Sequence, residues 1–167
     1  MHDELTSVDI KKMEEEVEYR RLTLRPQLIE DVKTAREFGD LSENFEYKAA
    51  KREKNRNESR IRYLEHMIKT AKVIEDHSAA DEVGLFDKVV IYIEEDDEEQ
   101  EIRIVTTLRQ NALQGLISKE SPVGKAVMGH RVGDRVRVEV NESYSYDIII
   151  RSVTKGTDDD SLPISAY

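Results

Sequence analysis

Tyr47, Ala50, Lys54, Asn57, Ile61, Leu64, Ile68 and Ala71 follow one another in steps of three and four residues, the spacing of a coiled-coil seam. A helix with so narrow a stripe cannot bury it alone, so the chain must supply a partner. The preceding stretch does: Ile10, Met13, Val17, Leu24, Leu28, Val32 and Ala35 recur at helical spacings, with an interruption near Arg20 and Arg21. Gly39 separates the two runs and suits the left-handed position that closes a helix. The pattern predicts an antiparallel helical hairpin over residues 1–75, with Thr6 or Ser7 as its first cap. About 30 residues per helix gives a rod on the order of 45 Å long. Pro26 falls inside the first helix, where a proline costs about 3 kcal/mol, so a bend is expected there.

Composition fits an extended helical part joined to a small globular part, since only 38% of the 167 residues are hydrophobic and 37% are charged. Residues 76–83 have linker composition. From 84 to 154 the period switches to β-type: Lys88–Ile93 and Glu101–Thr107 around an acidic loop, a short helix from Ser121-Pro122 to Met128, then Arg135–Val140 and Tyr144–Val153. The polar tail, 155–167, reads as disordered. The fold class is therefore α+β. With no cysteine, disulfides and thiolate chemistry are excluded. No apolar run nears the roughly 18 residues of a membrane span, and the first residues lack a signal peptide's pattern, so a cytoplasmic protein without membrane association is expected.

A net charge of -10 argues against broad binding to nucleic-acid backbone. The charge is uneven, however: residues 44–62 hold seven bases against three acids, directly after the carboxylates Asp40 and Glu43. Those two acids admit two readings. Asp-x-x-Glu before a helix can be a capping box, or carboxylates at an exposed turn can help hold Mg2+, which takes oxygen ligands and needs few from any one protein. Lys48, Arg52, Arg56 and Arg60, four residues apart, make either a solvated face or a phosphate-contacting patch. The four histidines show no metal-ligand spacing.

Gly39-Asp40-Leu41-Ser42-Glu43-Asn44-x-Glu46-Tyr47-x-Ala49-Ala50-Lys51 closely resembles the bacterial transcript-cleavage elongation factors of the Gre family, GreA type. A second stretch, Ile117-Ser118-x-x-Ser121-Pro122-x-x-x-Ala126-x-x-Gly129-x-x-x-Gly133-Asp134-x-Val136, resembles their C-terminal domain. The resemblance implies an FKBP-like antiparallel β-sheet domain that docks RNA polymerase through Ser121 and Pro122 while the coiled coil enters the secondary channel. Asp40 and Glu43 would share Mg2+ with the polymerase, which then cuts its own backtracked transcript. Arg36, Lys51 and Arg52 would contact the nascent RNA 3′ end. The protein would be a monomer and no enzyme by itself.

Three places depart from the family pattern. Thr106 to Leu113 replaces an acidic stretch, Asn141-Glu142-Ser143 replaces a Pro-x-Gly hairpin, and Lys54-Asn55 stands near frequent glutamines. Two other functions remain open at this point. One is a secondary-channel regulator or inhibitor that stimulates no cleavage; the other is a coiled-coil adaptor with a prolyl isomerase domain.

Overall fold

The computed structural model describes residues 3–39, 43–158 and 161–166. Two compact units are present: Ile10–Ala71, and Asp3–Asp9 with Lys72–Tyr167.

The first unit is the helical hairpin. Helix α1 (Ser7–Tyr19) runs through a π-helical turn, Arg20–Leu24, into α2 (Arg25–Arg36), and α3 (Phe45–Thr70) returns. The π turn is the interruption in the apolar spacing. Arg25 donates its N–H to the Arg20 carbonyl, five residues back, and Pro26 follows at the start of α2. The proline's missing donor thus falls where the hydrogen-bond ladder is already changing register. Asn57, 2% exposed, explains why the seam carries an amide there. Its Nδ2 donates to the Arg20 carbonyl at 3.3 Å, and its Oδ1 accepts from Arg20 Nη1 at 2.9 Å.

Met13, Val17, Ile61, Leu64 and Met67 are buried toward the base of the hairpin, and Ala35 near the turn. Ion pairs fill the gaps between apolar layers. Arg25 grips Glu58 with two hydrogen bonds of 2.7 and 2.8 Å. Arg60, 5% exposed, donates to Glu16 at 2.7 Å, and Arg20 donates to the same carboxylate at 2.8 Å. Arg60 therefore belongs to the packing, and the basic stripe ends before it.

Burial alone would raise the pKa of Glu16, but the hydrogen bonds from Arg60 and Arg20 outweigh it and leave it lowered. A lowered carboxylate stabilises the fold fully above its unfolded pKa and loses that contribution as pH falls through the folded value. Glu16→Gln should accordingly lower the urea midpoint at pH 7, and the gap from the parent protein should narrow toward pH 3. An equal gap at both pH values would refute this.

In the second unit, β1 (Glu4–Leu5) pairs in parallel with β2 (Lys72–Val73). A five-stranded sheet follows, built from β3 (Lys88–Ile93), β4 (Glu98–Val105), β5 (Leu116–Ser118), β6 (Arg135–Glu139) and β7 (Ser145–Thr154), in the order β5-β4-β3-β7-β6. Alternate residues from four strands (Val89, Ile91, Ile102, Ile104, Val136, Val138, Ile148 and Ile150) close a core with Val83 and with Val127 of α4 (Pro122–Val127). The sheet is mixed, not antiparallel as expected, because β5 runs parallel to β4. Two single 3-10 turns, Thr107–Arg109 and Ala112–Gln114, carry the chain back far enough to restart in the same direction.

The stretch after Thr154, expected to be disordered, is tied down where it is described. Buried Asp87 accepts from Lys155 Nζ at 2.5 Å, from the Gly156 amide at 2.9 Å and from the Gly84 amide at 2.8 Å. Ser165 Oγ donates to the Leu108 carbonyl at 2.7 Å. The polar composition hid these partners, since each lies far away in sequence.

Candidate functional site

The turn of the hairpin is built from backbone groups that two helix ends leave unpaired. At the end of α2, Glu37, Phe38 and Gly39 donate to the carbonyls of Thr34, Ala35 and Arg36 at 3.1, 3.1 and 3.0 Å, tightening the last turn. Gly39 then takes φ +109°, which only glycine adopts readily.

Asn44 closes the other side. It is 8% exposed, and its Oδ1 accepts from the Tyr47 amide at 3.0 Å, capping α3. Its Nδ2 donates to the Ala35 and Gly39 carbonyls at 3.1 and 2.5 Å. One amide side chain therefore caps α3 and bonds to the backbone at the end of α2. The capping-box reading of Asp40 and Glu43 is corrected by this: α3 begins at Phe45, its cap is Asn44, and Glu43 lies exposed before the helix. Asp40 lies outside the described residues. Asn44→Ala should cost about 1–2 kcal/mol of hairpin stability, typical of a lost cap, measurable by chemical denaturation. No loss would remove Asn44 from this role.

Around the turn the structure gathers several of the expected side chains. The Arg36 guanidinium lies 5.3 Å from the Tyr47 ring centre and hydrogen-bonds its hydroxyl at 3.1 Å. Lys51 Nζ lies 6.0 Å from the same ring, so Tyr47 links the two cations. Arg52 is exposed on the next position of α3. Sequence reasoning missed two residues here: Phe38 and Phe45 are 70% and 75% exposed, and Lys48 Nζ lies 5.8 Å from the Phe45 ring centre. Their signal was available, because both flank the Gly39–Asn44 motif outside the apolar seam.

Ser121 and Pro122 belong to the second unit. Ser121 Oγ caps α4 by accepting from the Gly124 amide at 3.0 Å and donates to the Ser118 carbonyl at 2.7 Å. Pro122 follows as an exposed first-turn residue. Ser121 thus shapes the surface that Pro122 presents. Among the described residues, no cluster of three or more His, Cys, Asp or Glu could hold a metal, and no helix is long and apolar enough to cross a membrane.

Comparison with known proteins agrees with this architecture. Residues 4–73 match the family described as "Transcription elongation factor, N-terminal", and 77–155 match "Transcription elongation factor, GreA/GreB, C-term". The chain belongs to the GreA/GreB family.

As a GreA/GreB-family transcription elongation factor it acts on RNA polymerase, and it is an accessory factor, not an enzyme. It is 46% identical over 137 residues to the transcription elongation factor GreA of Thermoanaerobacter pseudethanolicus, covering 81% of this chain and 87% of that one. Identity to GreA of Staphylococcus carnosus is 39% over 150 residues, 89% of this chain and 93% of the relative. Among solved structures it is similar to GreA factor homolog 1 of Thermus thermophilus, 25% identical, covering 93% of this chain and 100% of that chain with a TM-score of 0.42.

Proposed function

We propose that this GreA/GreB-family factor binds RNA polymerase at its secondary channel and stimulates the polymerase's own cleavage of backtracked nascent RNA, rescuing arrested complexes. The observation that carries the proposal is the division of labour at the turn. Asn44 caps α3 and also bonds to the backbone at the end of α2, and Glu43 stands exposed just before the helix. An acid at the end of a helical hairpin suits delivery into a catalytic centre that another molecule owns.

Asp40 and Glu43 would hold a shared Mg2+, which polarises the scissile phosphodiester and activates water. Oxygen donors fit that ion, and the chain supplies too few to bind it tightly alone, so the polymerase must complete the site. Asn44 holds the backbone on which Glu43 is mounted. Arg36, Lys51 and Arg52 bind and orient the phosphates of the RNA 3′ end. Ser121 and Pro122 form the docking point of the second unit, which we take to be FKBP-like, and the factor works as a monomer in the cytoplasm.

The test uses stalled, backtracked elongation complexes with 5′-labelled RNA and Mg2+. Added factor should shorten the transcript and release a 3′ fragment, and free RNA mixed with factor but no polymerase should stay intact. Unchanged RNA length in the elongation complex would refute the proposal, and competition for polymerase without shortening would mark an inhibitor instead.

A further inference from the structure

The turn carries an apolar feature that cleavage chemistry does not explain. The chain has only three phenylalanines; Phe86 is 2% exposed in the core, whereas Phe38 and Phe45 stand 70% and 75% exposed. They are held at the same end of the hairpin. Gly39, next to Phe38, accepts from the side chain of Asn44, next to Phe45, at 2.5 Å. Neither ring serves the seam, so their exposure is not a by-product of helix packing.

We propose that Phe38 and Phe45 form a stacking site for the unpaired 3′-terminal nucleobase of the RNA. The proposal rests on the function proposed above and names what the turn grips besides phosphate. Every base offers a π face, and aromatic rings beside cations form the usual platform for single-stranded nucleic acid. Both components are present here. Lys48 Nζ lies 5.8 Å from the Phe45 ring centre, and Arg36 and Lys51 lie 5.3 and 6.0 Å from that of Tyr47. An apolar protein partner fits less well, because closing a dry contact over Phe45 would desolvate the Lys48 ammonium beside it. A nucleotide instead brings a phosphate for the cations and a flat face for the rings.

The experiment compares complexes backtracked by one nucleotide whose RNA ends in adenosine or in an abasic residue, after subtraction of factor-independent cleavage. With the parent protein, polymerase should cleave the RNA ending in adenosine about tenfold faster than the one ending in the abasic residue. Phe38→Leu/Phe45→Leu keeps apolar bulk but lacks the π faces, and should stimulate cleavage of both ends to the same slow rate while competing for polymerase as before. Retention of the adenosine preference in the double variant would overturn the proposal. So would a loss of polymerase affinity that is independent of the terminal base, which would place the rings on protein. If the parent protein stimulates cleavage of neither RNA, the cleavage function fails, and stacking is then decided by photocrosslinking from a 3′-terminal 4-thiouridine. A crosslink to the turn that disappears in the double variant supports stacking, and absence of a crosslink with the parent protein overturns it.

Discussion

Asp40→Ala combined with Glu43→Ala should lower factor-dependent transcript cleavage by roughly 100-fold or more, the scale on which preorganised charge at a reacting centre contributes. Competition for polymerase should stay within about twofold, because docking is assigned to the second unit and not to these side chains. Glu43 is exposed and outside α3, and α3 keeps its cap on Asn44, so the double variant should fold as the parent does. Asp40→Asn/Glu43→Gln sharpens the result: it keeps shape and hydrogen-bonding capacity but removes both charges, and should fail equally. If the amide variant retained cleavage, the carboxylates would be acting by shape alone and the shared-metal role would be lost. If both variants stimulated cleavage normally, the acids would have no part in the reaction.

The hairpin was legible because its signal is local. Each residue of the predicted α3 seam, from Tyr47 to Ala71, is at least half-buried, and the interruption at Arg20 and Arg21 coincides with the π turn. Local pattern also misled. Asp40-x-x-Glu43 imitates a capping box, yet the cap went to Asn44, whose amide can donate to α2 while accepting from α3, which a carboxylate cannot do. Arg60 looked like one more member of a solvated stripe because its partner, Glu16, lies on another helix. The direction of β5 was invisible for a related reason: it depends on how residues 106–115 cross back, and no periodicity records a route. The contacts of the polar tail were hidden because composition measures what a segment can bury, not which distant amides and carboxylates will meet it.

The same blindness covers Arg109, whose replacement should have the largest effect on stability. Arg109 stands in the stretch that departs from the family's acidic pattern and is 1% exposed. Its Nε lies 2.8 Å from Asp9 Oδ1 and its Nη1 3.0 Å from Asp158 Oδ1, and its guanidinium sits 5.7 Å from the centre of the Phe86 ring. Asp9 Oδ2 also accepts from the Thr6 amide at 2.9 Å, so one buried cation joins the start of α1, a 3-10 turn and the tail. Burial raises the pKa of Asp158, with the Thr6 and Arg109 contacts pulling the other way but not far enough. Arg109→Met should therefore strand two carboxylates in a dry site and cost about 3–5 kcal/mol at pH 7, read from urea midpoints. Adding Asp9→Asn and Asp158→Asn should recover much of that loss, since neutral groups need no counter-ion. The sign with pH follows from the same geometry. Burial already raises the Asp158 carboxyl, and without Arg109 it holds a proton that the unfolded chain sheds, so the deficit should shrink as pH falls through its raised folded value. A loss below about 1 kcal/mol at pH 7, or one that grows on acidification, would mean that the two chain segments are held by their backbone contacts and not by this cation.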